Sequence, residues 1–209
     1  MEQGTRSRSV RARAGARAHR WLTQVVTDSE ETIALKRLGL LLCQRIHAAA
    51  GGPRNLQSLG IRLPKPGSLV AMRRERLMAL VRNIVLANPE VWRAGGVLRA
   101  QWAQAFGALA ISYAQSGDLP AVASLVRASA HLGLDGDWLD EAELFMLEQQ
   151  QLEGSFGFFA PELHLLRNPT AAAEARLRVT VEVLWALAER ARSIRAAAPS
   201  GEVSKDSGA

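Results

Sequence analysis

The chain has 209 residues, 48% apolar and 22% charged, with one cysteine. That length buries a sizeable core in one domain, and a lone Cys43 excludes an internal disulfide framework and fits a reducing cytoplasm. The net charge of +6 misleads: residues 1–20 hold six arginines (6, 8, 11, 13, 17 and 20) against Glu2, leaving 20 basic and 19 acidic groups elsewhere, too even a balance for a broad nucleic-acid groove.

Residues 1–17 read as a disordered basic leader able to touch phosphate, anionic lipid or an acidic partner weakly. An arginine-rich start matches a mitochondrial presequence, but arginine outnumbers lysine 23 to 3, the bias of a GC-rich bacterial genome. A short helix is expected over His19–Val26, with Trp21, Leu22, Val25 and Val26 on one side. Asp28 caps the next helix, and Glu31 completes a capping box. That helix runs to about Ala50 and is apolar on most sides (Ile33, Leu35, Leu38, Leu40, Leu41, Leu42, Ile46), which places it at the centre of the fold.

Residues 51–67 form the longest irregular stretch, a connector or a lid. A helix over Leu69–Ala87 follows, apolar at Val70, Leu77, Val81, Ile84 and Val85. Asn88-Pro89 makes a stop and a restart, and Gly95-Gly96 a break before Val97–Gln115. Gly117-Asp118-Leu119-Pro120 turns the chain into Ala121–Leu132. Residues 105–118 resemble the first helix and turn of a tetratricopeptide repeat, but no second copy follows at that repeat's period of about 34 residues.

A helix from about Trp138 to Gln151 must stop at Gly154, and Gly157 permits a second bend. Phe156, Phe158 and Phe159 then supply apolar anchors, while the glutamine amides can bond orphan carbonyls at the helix end. Asn168-Pro169 opens the last helix, with Leu177, Val181, Leu184 and Ala188 as its buried stripe and its arginines and glutamates facing water. Residues 199–209 are a polar, disordered tail, leaving 18–198 as a single helical domain. The sum is an all-α fold of about seven helices in antiparallel pairs, with no strand pattern.

The stretch Glu148 to Phe159 resembles the glutamine–aromatic repeat of α/α-toroid proteins such as terpene cyclases and protein prenyltransferase β-subunits. Gln150 or Gln151, Glu153, Gly154, Ser155, Phe156 and Gly157 occupy the repeat's places, with Glu153 and Phe156 where aspartate and tryptophan are usual. Residues 95–160, in one clear copy, also resemble actinobacterial helical domains of unknown function. The resemblance implies a partial α/α-toroid-like bundle, in which the repeat is a structural weld and carries no chemistry.

Catalytic templates are absent: no phosphate-cradling glycine loop, no nucleophile elbow, no paired histidines on a helix. The four histidines (19, 47, 131, 164) are scattered surface or helix-end residues, and no metal site or cofactor is expected. Asp135, Asp137, Asp140, Glu141 and Glu143 cluster without EF-hand chemistry, since Met146 stands where the last glutamate should be. Asp137 reads as a helix cap and the others as favourable charges near an N-terminus. Glu162 and His164, beside Glu153, could tune a proton-transfer group. The tryptophans (21, 92, 102, 138, 185) fit helix contacts better than a ligand cage.

These residues favour a non-catalytic or accessory helical domain that binds a partner protein, a second copy of itself or an apolar small molecule, with bacterial specialised metabolism as the setting the resemblance implies. The alternative is a small cyclase- or isomerase-like enzyme acting on a hydrophobic substrate in a helical cavity. Its candidate catalytic residues are Glu153, Glu162, His164, Asp135, Asp137 and Glu141, and the candidate ligand-binding residues are Trp102, Phe156, Phe158 and Phe159. No apolar run is long enough to span a bilayer, so no membrane partner is expected. Nucleic acid is expected only through residues 1–20.

Overall fold

One helix organises the rest, and its sequence explains why. In the computed structural model, which describes residues 2–26, 30–47, 64–86, 96–157 and 169–197, Asp118 caps a helix over Leu119–Leu132 by accepting from the Ala121 amide at 3.2 Å. Pro120 sits in its first turn and Gly133 ends it in the left-handed conformation. Of its 14 residues, 11 are buried, so this helix, not the second, is the centre of the molecule.

The described residues hold seven α-helices: α1 (Glu2–Gln24), α2 (Glu30–His47), α3 (Arg74–Leu86), α4 (Gly96–Gln115), α5 (Leu119–Leu132), α6 (Asp137–Glu148) and α7 (Pro169–Ala197). A 3₁₀ turn at Pro66–Ser68 precedes α3. Among these residues there is no sheet, only an isolated bridge between Gln150 and Phe156. The all-α expectation holds.

α5 lies against α7 on one side and against α3 and α4 on the other, while α2 packs on α7 and α1 on α2. α6 touches α4, α5 and α1. Two apolar cores result. One joins α1, α2, α5, α6 and α7 around Leu22, Leu42, Val122, Met146, Phe156 and Leu184. The other joins α3, α4 and α5 around Leu77, Val81, Phe106 and Leu125, with Trp102 edge-on to Phe106 at 5.4 Å. α5 supplies both, which is why it has almost no exposed side.

Three expectations change. Among the described residues α2 packs on α1 and α7, and its outer stripe leaves Ile33 and Leu41 exposed; being apolar all round did not bury it. The basic leader is helical from Glu2 and continues through the helix expected at His19. Arg11, Ala14, Ala18, Trp21 and Leu22 form its buried side. The small residues of that side let two backbones approach closely, an attraction that mean hydropathy does not register. Finally, Glu189 and Arg190 of α7 are buried and do not face water. Asp28, residues 51–63, Trp92, Phe158, Phe159, Glu162, His164, Asn168 and the tail from Pro199 lie outside the described residues.

Candidate functional site

The glutamine–glycine–aromatic corner forms as its residues require. The Gln151 amide donates to the Ser155 carbonyl at 2.8 Å, and the Gly157 amide returns to the Gln149 carbonyl at 3.2 Å. Gly154 and Gly157 have φ of 109° and 122°, which side-chain-bearing residues avoid. Space matters as much at Gly154: a Cβ there would stand 2.3 Å from the Arg17 carbonyl oxygen. The corner therefore seats directly on the α1 backbone.

The side chains complete the weld. Gln150 Nε2 donates to the Ala14 carbonyl at 2.9 Å and to the Gly154 carbonyl at 3.0 Å. Gln151 Nε2 donates to the Gly157 carbonyl at 2.8 Å. Phe156 is buried in the larger core, and its amide donates to Thr180 Oγ1 at 3.0 Å. One loop thus ties α1, α6 and α7 together. Trp102 and Phe156, the candidate ligand contacts that are described, are both core residues.

The acids do not converge. Asp135, Asp137 and Glu141 are exposed. Asp135 accepts from the Gly136 amide at 3.1 Å, and Gly136, not Asp137, holds the cap position of α6. Glu153 accepts from Ser155 Oγ at 2.9 Å and lies 3.7 Å from Arg176. Asp140 reaches Arg190 of α7 at 3.0 Å. Glu143 departs most from expectation: it is buried on the far side of α6 and takes a two-pronged bond from Arg11, Nε to Oε1 and Nη2 to Oε2, each 2.8 Å. Among the described residues no three His, Cys, Asp or Glu side chains are grouped to hold a metal ion. Burial pushes the Cys43 thiol up to about 12, which keeps it protonated and a poor nucleophile.

A second charged region escaped the sequence reading. Arg127 of α5 is buried, donates to Glu182 of α7 at 2.9 Å and lies 4.4 Å over the Trp185 ring. One turn on, His131 Nε2 stands 3.8 Å from Glu189, which also pairs with Arg192. Burial pulls the Arg127 guanidinium below its ordinary pKa, against the pull of Glu182 and Glu189. The signal was in the spacing. Arg127 and His131 are four apart on a helix otherwise small and apolar, and Glu182, Trp185 and Glu189 share one face of α7. What the sequence lacked was the knowledge that these faces meet.

The outer side of α4 shows the opposite chemistry. Between Arg99 and Asp118 the chain has no charged residue, yet Ala100, Gln101, Gln104, Ala108, Ile111, Ser112 and Gln115 are exposed along α4. Val97 is 76% exposed and Ile111 49%. Arg99, the lone charge of α4, donates to the Gly133 carbonyl at the end of α5. Protein surfaces are typically about a quarter charged or more, so a neutral helix side this long is distinctive. Compared with protein-family models, curated proteins and solved structures, the chain gives no match.

Proposed function

We propose that this chain is a non-catalytic helical docking module that binds a partner protein through the outer side of α4. The observation that carries the reading is that side's composition, with apolar and amide side chains exposed over five turns and no charge between Arg99 and Asp118. Depletion of charge with exposed aliphatic residues is the mark of an interface core. A convex helix surface suits a macromolecule better than a small ligand, which needs a concave site. The interior supports the same reading: Arg11, Glu143, Arg127 and Glu182 are spent on each other in helix-to-helix bonds. On this reading the corner, like the toroid repeat it resembles, is a weld that keeps the docking surface rigid.

The test places a photo-crosslinking residue at Gln104 in the cells that make the protein, with Arg76 of α3, also exposed, as the control position. A discrete adduct at Gln104 that is absent at Arg76 and lost with Ile111→Glu is the expected outcome. Light scattering of the purified chain distinguishes a second copy from a different partner. A monomer that gives no adduct from α4 beyond the control would end the proposal.

A further inference from the structure

We propose that the outer side of the α1–α2 pair is an adsorption face for an anionic membrane surface. This inference is independent of the role given to α4. It begins from the finding that α1 is a helix fixed to the body. Lys36 of α2 donates to the Val25 carbonyl at the end of α1 at 2.7 Å, and Gly39 of α2 lies against Leu22. The two helices therefore form an antiparallel pair. α1 turns Ala14, Ala18 and Leu22 inward, and α2 turns Leu42, Cys43 and Ile46 inward.

The opposite sides face solvent and are rich in arginine, the acids of this stretch being confined to Glu2 and to Asp28, Glu30 and Glu31 where α2 begins. Arg13, Arg17 and Arg20 follow at four and three residues along α1, with Arg13 and Arg20 exposed and Arg17 half-buried. On α2, Ile33, Arg37, Leu41 and Gln44 follow at four, four and three residues, all exposed. No acid occurs from Gln3 to Thr27 or from Thr32 to His47. The inward Arg11 meets a carboxylate, Glu143 of α6. The corner holds this row in place through the Ala14 carbonyl.

The aliphatic residues decide which polyanion fits. Leu41 is 56% exposed, Ile33 37% and Val26, just past α1, 75%. Nucleic acid would use the arginines but gains nothing from leucine and isoleucine, and the described aromatic residue of this pair, Trp21, is buried. A bilayer interface rewards guanidinium and aliphatic groups together. No described helix is long and apolar enough to cross a membrane, so the contact is adsorption from one side.

The test is cosedimentation of the full chain with phosphatidylserine–phosphatidylcholine vesicles against phosphatidylcholine alone. The wild type is expected on the anionic vesicles only. Each arginine near such a surface contributes about fivefold, so Arg13→Gln, Arg20→Gln and Arg37→Gln together lower the partition on the order of 100-fold. Leu41→Ser with Ile33→Ser lowers it further at constant charge. Arg73→Gln, one residue before α3, with Arg76→Gln and Arg82→Gln on α3 remove the same charge elsewhere and are expected to change it little. Because all these side chains are exposed, the variants keep the wild-type circular dichroism. Equal loss in the α3 variant, no binding to anionic vesicles, or tight binding to duplex DNA that ignores Leu41→Ser would each overturn the proposal.

Discussion

The interior between α5 and α7 and the outer side of α4 have exchanged the chemistry expected of them. The interior holds Arg127, His131 and Glu189, all buried, while the solvent side of α4 has no charge beyond Arg99. Burying charge is costly and seldom improves stability over a well-packed apolar pair, but a buried pair punishes any arrangement that separates its members. Neutral exposed surface is likewise a poor choice for a face that only meets water. The contrast separates two tasks: inside, charge fixes which helices are neighbours; outside, its absence is what the proposed docking role asks of one face.

The largest effect should come from breaking an interior pair one-sidedly. Arg11→Met takes away the guanidinium that bonds both Glu143 oxygens in the interior, and breaking a buried pair from one side costs about 3–5 kcal/mol. Denaturant unfolding should show it. Replacing both members, Arg11→Met with Glu143→Leu, should recover most of the loss, because two apolar side chains leave no stranded charge. If the double variant is as unstable as the single, the pair does more than specify neighbours.

Next comes the corner that ties α1 to α6 and α7. Gly154→Ala forces a side chain into a positive-φ position and onto the Arg17 carbonyl, a strain of about 1–3 kcal/mol. Hydrogen exchange should rise first in α1, which the corner grips, and least in α5. Uniform loss of protection would mean that α1 and the core unfold as one unit. Ile111→Glu, by contrast, should leave stability within about 0.5 kcal/mol of wild type, since its side chain is half exposed. It should act on partner binding alone, which is the sharpest statement of the difference between inside and outside.

Helix starts and stops were legible because they depend on local chemistry. Asp118, Pro120 and Gly133 bound α5 where their types demand, and Gly154 and Gly157 bend the corner through their own backbone freedom. Position in the fold was less legible. α2 looked central from its leucines, yet burial is decided by what lies opposite, and Leu41 is left 56% exposed. α1 was missed because Ala14, Gly15 and Ala18 attract by permitting contact, not by hydrophobicity. The pairs Arg11–Glu143 and Arg127–Glu182 join residues far apart in sequence, so only the fold brings them together. The α4 face is a missing feature, and missing charge is harder to notice than a motif.

A last, modest effect tests whether a surface charge can resemble an interior one. Asp118 caps α5 and also takes the Arg74 guanidinium, with Nη2 at 2.9 Å from Oδ1. Burial alone would raise its carboxyl, but the hydrogen bonds from Arg74 and Ala121 and the Arg74 charge outweigh this and hold its pKa below the usual value. A lowered folded-state pKa means that the folded chain releases this proton more readily than the unfolded one. The stabilisation is therefore complete above the unfolded value of about 3.9 and fades as pH falls through the lower folded value. Asp118→Ala should cost about 1 kcal/mol at neutral pH, mostly as a lost cap, because the Arg74 side of the pair is 46% exposed and screened by solvent. The gap between variant and wild type should close in acid. A gap that persists unchanged well below the unfolded pKa would show that the loss is one of packing and not of charge.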